Sequence, residues 1–382
     1  MKAAEHLDEK LQEFDAYLIR GDSSDTDLFY LTEFEADDPV IYLRKKNEDI
    51  ILTSSLEIER AKQESTVDKV VKTSEYKNKS DEEANSFIDI LDVFLTKENV
   101  EDLAVPQDFP LYVADSLREI GYQISPIKEG LTEERKIKSP KEIQKLKSAQ
   151  KSTEKAMEKV RDIIEEAFVK ENGELALDKE TLTSEKIKSE VKKLLMEEGC
   201  EVPKEPIVAS GKDASQPHNR GSGPIKEGEP IVVDIFPRKK HYYGDMTRTF
   251  VKGQTPQKLK EMHEAVLEAQ KAAFKILKQN NEPQAKEIHN KASQVLEKEG
   301  FDTLNQDEDN EQGFIHSTGH AVGLELHEKP GLSDNEDIIK EGMVLTIEPG
   351  LYYSDIGGVR LEDMVRVTEE SYENFNSMKK DL

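Results

Sequence analysis

The chain has 382 residues, which at roughly 150 residues per domain corresponds to two or three domains. Asp and Glu number 80 against 54 Lys and Arg, and the net charge of −26 excludes a surface built to bind nucleic acid or anionic lipid. The single cysteine, Cys200, excludes an intramolecular disulfide and favours a reducing compartment. Since the first residues lack an apolar signal core and no run of about 18 apolar residues occurs, we expect a cytoplasmic protein that does not enter a membrane.

The first third of the chain alternates short apolar runs with helical segments, a rhythm typical of an α/β domain. We therefore predict a first domain over residues 1–131. Its strands are predicted at Ala16–Ile19, Val40–Leu43 and Asp49–Leu52, and its clearest helix at Ser86–Leu95.

A second domain, residues 132–382, is predicted to begin with a polar helical stretch from Thr132 to about Ala167. Ser139-Pro140-Lys141-Glu142 has the composition of a helix start. Apolar spacing further along predicts helices at Ser184–Glu198 and Pro256–Gln279, and strands at Ile231–Phe236, Thr247–Val251, Met343–Tyr353 and Gly358–Thr368. The second domain is thus predicted to be α+β, and the acidic segment Asp302–Glu311 to be a solvated loop.

Asp234 is a carboxylate in the middle of the apolar strand Ile231–Phe236, where an unpaired charge is costly. If a hairpin follows with Lys239 and Lys240 at its tip, Asp234 lies directly opposite Asp245, and like charges at that spacing repel. A cation bound between the two acids would offset both the cost of burying the charge and the repulsion. The alternative is a register in which the two acids point to solvent.

Three of the eight histidines lie within twelve residues, at His316, His320 and His327. They stand among glycines, which permit close backbone approach. A lone histidine is usually structural or exposed, whereas a cluster of this kind favours metal ligands or proton carriers. The spacing leaves open whether the three rings converge.

Two further carboxylates stand in apolar strands near the end of the chain. Glu348 lies in Thr346–Gly350 and needs a partner there. Glu362 is predicted to share one face of its strand with Arg360, so an ion pair between them is the simplest alternative to a metal role. The opposite face is predicted to hold Val359, Leu361, Val365 and Val367.

These candidates make an oxygen-rich set of four carboxylates and one imidazole. Such a set suits Mn²⁺, Fe²⁺, Co²⁺ or Zn²⁺ and is too poor in sulfur for a structural zinc site. Its members are Asp234, Asp245, His320, Glu348 and Glu362.

The order of these motifs resembles the pita-bread metallopeptidases, the family that includes prolidase, aminopeptidase P and methionine aminopeptidase. The matching elements are an Asp, ten residues and a second Asp, then the Gly-His box, Ile-Glu-Pro-Gly and Val-Arg-Leu-Glu-Asp. Asp27–Thr32 is similar to the creatinase-like N-terminal domain. The resemblance implies an α+β pita-bread catalytic domain over residues 132–382, preceded by a smaller α/β creatinase-like domain over residues 1–131.

The resemblance also implies a cofactor of two divalent ions, Mn²⁺ in the first place, with Co²⁺, Fe²⁺ or Zn²⁺ as alternatives. Asp234 would chelate one ion, and His320 with Glu348 the other, while Asp245 and Glu362 would bridge the pair. A shared hydroxide would attack the scissile carbonyl. Glu348 would act as the general base and acid.

The implied substrate is a peptide with proline in second position, cleaved before the proline. His218 and His327 would contact this substrate and move protons, and His316 and Arg360 would line its site, with Arg360 and Thr247 orienting ligand carboxylates. Members of the family commonly form homodimers, which we expect here too.

One position departs from the family pattern. In many dipeptide-restricted members an Arg follows the His-Glu-x-Pro box, and here that position is Gly331. An Xaa-Pro dipeptidase remains the first prediction, and an Xaa-Pro aminopeptidase acting on longer peptides is the alternative. A more distant alternative is a non-catalytic acidic peptide-binding module on the same fold, although all five ligand positions are filled.

Overall fold

The computed structural model describes residues 5–46, 48–77, 85–128, 130–280, 282–304 and 311–382. It divides into two compact units, Met1–Arg135 and Lys136–Leu382. Residues 305–310 of the predicted acidic loop lie outside the described residues.

The first unit is built on a six-stranded mixed sheet in the order β4-β3-β2-β1-β5-β6. Strands β1, β2 and β3 pair antiparallel, whereas the pairs β3–β4, β1–β5 and β5–β6 are parallel. The strands are β1 Ala16–Gly21, β2 Val40–Lys45, β3 Glu48–Thr53, β4 Lys69–Lys72, β5 Asp102–Val105 and β6 Gln123–Pro126. The helices are α1 Glu5–Lys10, α2 Thr26–Thr32, α3 Ile58–Glu64, α4 Phe87–Glu98, α5 Leu111–Glu119 and α6 Thr132–Lys136. The predicted α/β class of this domain is confirmed.

The first long helix of the second unit begins where its capping residues predict. Ser139 and Glu142 form a reciprocal capping box at the start of the long helix α7, with Pro140 as its first residue. Among the described residues of this unit, the α-helices are α7 Pro140–Glu166, α8 Ser184–Glu197, α9 Gln257–Gln279 and α10 Ala285–Lys298. Across the described part of the chain, no helix is both long and apolar enough to span a membrane.

The strands of the second unit form several small sheets. A three-stranded sheet joins β10 Ile207–Ser210, β11 Ile231–Ile235 and β14 Met246–Phe250, with the ribbon β12 Arg238–Lys239 and β13 Tyr242–Tyr243 at the tip of its hairpin. A five-stranded sheet has β15 His320–Ala321, β16 Glu328–Gly331, β17 Val344–Ile347, β20 Asp363–Thr368 and β21 Ser371–Asn374, and a ribbon pairs β18 Gly350–Tyr353 with β19 Gly357–Arg360. A third small sheet has β7 Phe168–Val169, β8 Leu175–Leu177 and β9 Glu180–Thr181. This is the predicted α+β architecture, with apolar strand and helix faces packed into several hydrophobic clusters.

Two segments predicted as single strands are each broken into two. The run Met343–Tyr353 separates into β17 and β18 at Glu348-Pro349, where proline lacks a ladder N–H. The run Gly358–Thr368 separates into β19 and β20 at Leu361-Glu362. The Glu348 N–H bonds the carbonyl of Thr318 at 2.7 Å, and the Glu362 N–H bonds that of Thr247 at 3.1 Å.

The predicted sharing of faces within one strand is therefore wrong. The hydrophobic residues predicted for one face are all buried, but they pack into two different clusters. Val359 of β19 and Leu361 at the break lie in one cluster, and Val365 and Val367 of β20 lie in another. Glu348 and Glu362 lie outside the strands on either side of them.

The predicted register of the Asp234 hairpin is also wrong, by two residues. Asp234 pairs with Thr247 rather than with Asp245, because the two turn residues are Lys240 and His241. Both have positive φ, 51° and 69°, the conformation of a type I′ turn, which usually carries Asn or Gly. A shift of two residues preserves the side-chain face, so Asp245 still lies on the side of Asp234.

Candidate metal centre

Five ligand candidates reach one place from separate strand ends. Asp234 lies in β11, Asp245 comes just before β14, and His320 begins β15. Glu348 directly follows β17, and Glu362 directly precedes β20. The two strand breaks thus place Glu348 and Glu362 at the junction between sheets.

Three of these residues have ligand atoms close enough together to bind one cation. One ligand atom each from Asp245, His320 and Glu362 lies within 4.8 Å of the other two. His320 Nε2 also lies 3.3 Å from Glu348 Oε1 and 3.7 Å from Asp245 Oδ2. The structure therefore brings His320, the histidine of the Gly-His box, together with the acids.

Asp234 is held differently, by an arginine. Its Oδ2 accepts a hydrogen bond from Arg360 Nη2 at 2.7 Å. Its Oδ1 is buried and lacks a hydrogen-bond partner within the described chain, a costly arrangement unless something else binds it. The ion pair predicted as an alternative for Glu362 is thus made by Arg360 with Asp234.

The buried carboxylates repel one another when no cation is present. Burial raises the pKa of Asp245 and of Glu362 well above the usual range, and neighbouring carboxylates raise both further. Burial likewise raises the pKa of Glu348 to about 7, against the opposing charge of Arg360. The orphaned Asp234 oxygen and these raised pKa values fit a site for divalent cations, which such oxygen donors suit.

A set of hydrogen bonds behind the acids orients them. Thr247 Oγ1 donates to Glu362 Oε2 at 2.8 Å and accepts from Arg360 Nε at 3.1 Å. Thr346 Oγ1 lies 3.3 Å from Glu348 Oε1 and accepts from the backbone N–H of His320. Such outer contacts fix the ligand geometry.

Gln150 is a residue that our sequence reasoning missed. Its side chain bonds both the backbone N–H and the carbonyl of Asp245, each at 2.7 Å. Gln150 is fully buried on α7. An amide four residues after Leu146, on an apolar helix face, is the signal that could have identified it.

Burial lowers the pKa of three histidines near the acids. Burial lowers the pKa of His320 to about 4, which leaves Nε2 able to bind a cation. The ring of His327 lies 4.3 Å from that of His320, and its pKa is likewise lowered to about 4, chiefly by burial. His316 Nε2 lies 3.1 Å from Tyr352 Oη, and burial lowers its pKa to about 3.

A cavity of about 1180 Å³ opens over this cluster. The nine site residues predicted from the sequence all line it, so the structure brings the whole predicted set together. They are His218, Asp234, Asp245, His316, His320, His327, Glu348, Arg360 and Glu362.

Comparison with known proteins identifies the class to which this fold and site belong. Residues 144–369 match metallopeptidase family M24, and residues 4–137 match the creatinase/prolidase N-terminal domain. The chain therefore belongs to metallopeptidase family M24, which confirms the predicted family and its two-domain architecture.

Individual relatives and solved structures agree with this assignment. An Xaa-Pro dipeptidase of Pyrococcus furiosus is 38% identical over 199 residues, which are 51% of this chain and 54% of that protein. An Xaa-Pro dipeptidase of Pyrococcus horikoshii is 32% identical over 75% of this chain and 76% of its own length. The alignment thus spans about half of the first relative and three quarters of the second.

Two solved structures match almost the whole chain. The prolidase from Pyrococcus horikoshii OT3 has a TM-score of 0.79 at 28% identity, with 99% of each chain covered. An X-Pro aminopeptidase from Thermotoga maritima has a TM-score of 0.81 at 26% identity, with 98% of this chain and 99% of that chain covered. Both the dipeptidase and the aminopeptidase branch therefore share this fold.

Proposed function

We propose that this protein is a metal-dependent exopeptidase that hydrolyses the Xaa-Pro bond of dipeptides. The observation that carries the proposal is the convergence of four carboxylates and His320 on one cavity. The relatives named Xaa-Pro dipeptidases support the substrate class.

The donor set suits two divalent cations, with Mn²⁺ as the first candidate and Co²⁺, Fe²⁺ or Zn²⁺ as alternatives. In this proposal Asp234, Asp245, His320, Glu348 and Glu362 would hold the ions. When bound, such ions supply an activated water and polarise the scissile carbonyl.

Side chains on the cavity wall are proposed to transfer protons and to contact the substrate. Glu348 is proposed to accept a proton from the attacking water and to release it again. His327 and His218 are proposed to deliver a proton to the departing prolyl nitrogen. The His316–Tyr352 hydrogen bond and Arg360 form the wall against which the substrate rests.

A second candidate activity is that of an Xaa-Pro aminopeptidase on longer peptides. Gly331 lines the cavity, and a Cβ added there would meet no atom within 4 Å. This open space leaves room for chain beyond the proline. The likeness to an X-Pro aminopeptidase structure is consistent with it.

A comparison of substrates tests the proposal. Purified protein refilled with Mn²⁺ is assayed with Ala-Pro and with Ala-Pro-Ala at equal concentrations. Faster cleavage of Ala-Pro supports the dipeptidase, and faster cleavage of Ala-Pro-Ala supports the aminopeptidase. Peptide binding without stoichiometric metal and without cleavage would replace both with a binding module.

We also propose that the protein works as a cytoplasmic homodimer, as the family resemblance implies. Light scattering after size exclusion measures the mass directly. A mass near 43.4 kDa, that of a single chain, would contradict the dimer.

A further inference from the structure

Two cationic side chains on the cavity wall, Lys204 and Arg220, have no role in the site described above. The other strong cation on the wall, Arg360, is occupied by Asp234 and Tyr352. Lys204 and Arg220 therefore carry the positive charge of the cavity that is left for a ligand.

Arg220 is held in a defined position. Its Nη1 donates to the backbone carbonyl of Glu205, and its guanidinium carbon lies 5.5 Å from the centre of the Phe236 ring. The next residue, Gly221, has φ 70°, and a Cβ there would lie 1.9 Å from the carbonyl oxygen of Val208. The tight approach of these two backbone segments fixes the loop from which Arg220 projects.

Neither cation is neutralised by an acid. Within the described chain, no carboxylate lies within ion-pair distance of Lys204 or Arg220. The adjacent Glu205 is bound instead by Lys188 at 3.4 Å and by Lys192 at 2.6 Å. In a chain with a net charge of −26, two unpaired cations beside a cavity are conspicuous, because acids are abundant.

The two cations share one cavity with the acid cluster. Phe236, under the Arg220 guanidinium, follows Asp234 by two residues, a step of roughly 7 Å along an extended chain. A short peptide held at the acids would therefore lie in the same cavity as Arg220 and Lys204, and a guanidinium binds a carboxylate oxygen at roughly 2.7–2.9 Å.

We propose that Arg220 and Lys204 bind the C-terminal carboxylate of the Xaa-Pro dipeptide. This inference rests on the function proposed above. Arg220 supplies the planar fork that matches a carboxylate, and Lys204 adds a second charge on a mobile stem. A free carboxylate directly after the proline is thus the feature that these residues select.

Kinetics with and without that carboxylate test the proposal. Wild type, Arg220→Gln, Arg220→Lys, Lys204→Gln and the control Lys212→Gln are loaded with Mn²⁺ and assayed with Ala-Pro and Ala-Pro amide. We expect Arg220→Gln to raise KM for Ala-Pro by roughly 10- to 100-fold. Its kcat, and its KM for the amide, should change by less than threefold, while Arg220→Lys restores part of the loss.

Each contrary result has one meaning. Equal effects on the acid and the amide, or no effect of Arg220→Gln and Lys204→Gln, would overturn the carboxylate subsite while leaving the peptidase intact. Wild type that cleaves neither compound would overturn the proposed function itself. Since Lys204 is exposed, Lys204→Gln tests the subsite even if Arg220→Gln fails to fold.

Discussion

Arg360 and Asp234, which are 126 positions apart in the chain, form a buried ion pair with an N–O distance of 2.7 Å. The same guanidinium donates to Thr247, which in turn donates to Glu362. One arginine thus links two carboxylates that lie at the ends of different strands. The positions of both acids depend on it.

Replacement of Arg360 should disturb the site more than it disturbs the fold elsewhere. Arg360→Met leaves Asp234 buried without a partner, and breaking a buried pair in this way costs roughly 3–5 kcal/mol. Loss of an orienting contact also weakens metal affinity by roughly 10- to 100-fold. Thermal denaturation with EDTA and Mn²⁺ titration measure the two effects. The partly exposed Arg161 provides the matched control, Arg161→Met, and equal behaviour of the two variants would contradict the prediction.

Neutral isosteres of the bridging candidates should have opposite effects on stability and activity. Asp245→Asn and Glu362→Gln remove charge repulsion, so the metal-free variants should melt above metal-free wild type, by roughly 2–4 °C for each kcal/mol relieved. Their activity should fall by roughly 100-fold or more, with loss of bound metal. Metal analysis and calorimetry in EDTA measure both. Variants that bind full metal, or melt lower without it, would refute the assignment.

The stability that Glu348 contributes to the metal-free protein should decrease as the pH rises. Glu348 has its pKa raised from 4.5 to about 7, so the folded state holds this proton more tightly than the unfolded state does. The resulting stabilisation is present below pH 4.5 and is lost as the pH rises through about 7. Melting curves in EDTA from about pH 7 to about pH 8 should show the decline, because the histidines with lowered pKa values are largely neutral there in both the folded and the unfolded state. Saturating Mn²⁺ should abolish it. A rise in melting temperature with pH over this range would contradict the prediction.

Metal affinity should show the complementary trend. Because the raised pKa values of Asp245, Glu348 and Glu362 keep protons on the empty site, metal binding must release them. Affinity for Mn²⁺ should therefore increase with pH up to about 7. Titration calorimetry in two buffers of different ionisation enthalpy counts the released protons. Identical heats in both buffers would show that no proton is released.

His320 and His327 should have different functions, the first in metal binding and the second in proton transfer. His320→Gln should lose metal, whereas His327→Gln should keep it and lower kcat by roughly 10²- to 10⁴-fold, as for loss of a general acid. The rings are only 4.3 Å apart, so metal content is measured beside kcat for both. His241→Asn, in the hairpin turn, is the control. Loss of metal in His327→Gln would place that ring among the ligands.

Substitutions in the hairpin turn of Lys240 and His241 should raise the stability of the protein. Asn and Gly accept the positive φ that these residues adopt, so the double change Lys240→Asn, His241→Gly should stabilise the protein by about 1 kcal/mol. A matched turn at Asp178 and Lys179 has φ values of 50° and 69°, and Asn-Gly should stabilise it equally. Calorimetry compares the two, and a lower melting temperature for either would contradict the turn type.

The sequence by itself determined the identity and order of the site residues. A charge inside an apolar strand is a local anomaly, so Asp234 and Glu348 could be recognised without any structure. The helix start at Ser139 was equally local, since a capping box involves residues three positions apart. Family membership followed from the same motifs.

Only the tertiary structure decided how these residues meet. The strand breaks at Glu348-Pro349 and Leu361-Glu362 depend on backbone bonds to Thr318 and Thr247, which lie far away in the chain. The hairpin register depends on the turn at Lys240 and His241. Both residues have positive φ, which their residue types do not predict. Gln150 and Arg220 make hydrogen bonds across 95 and 15 positions. Apolar periodicity indicates only which face of a helix or strand is buried. A metal site depends on the distances between side chains of different strands, and the packing of those strands sets the distances.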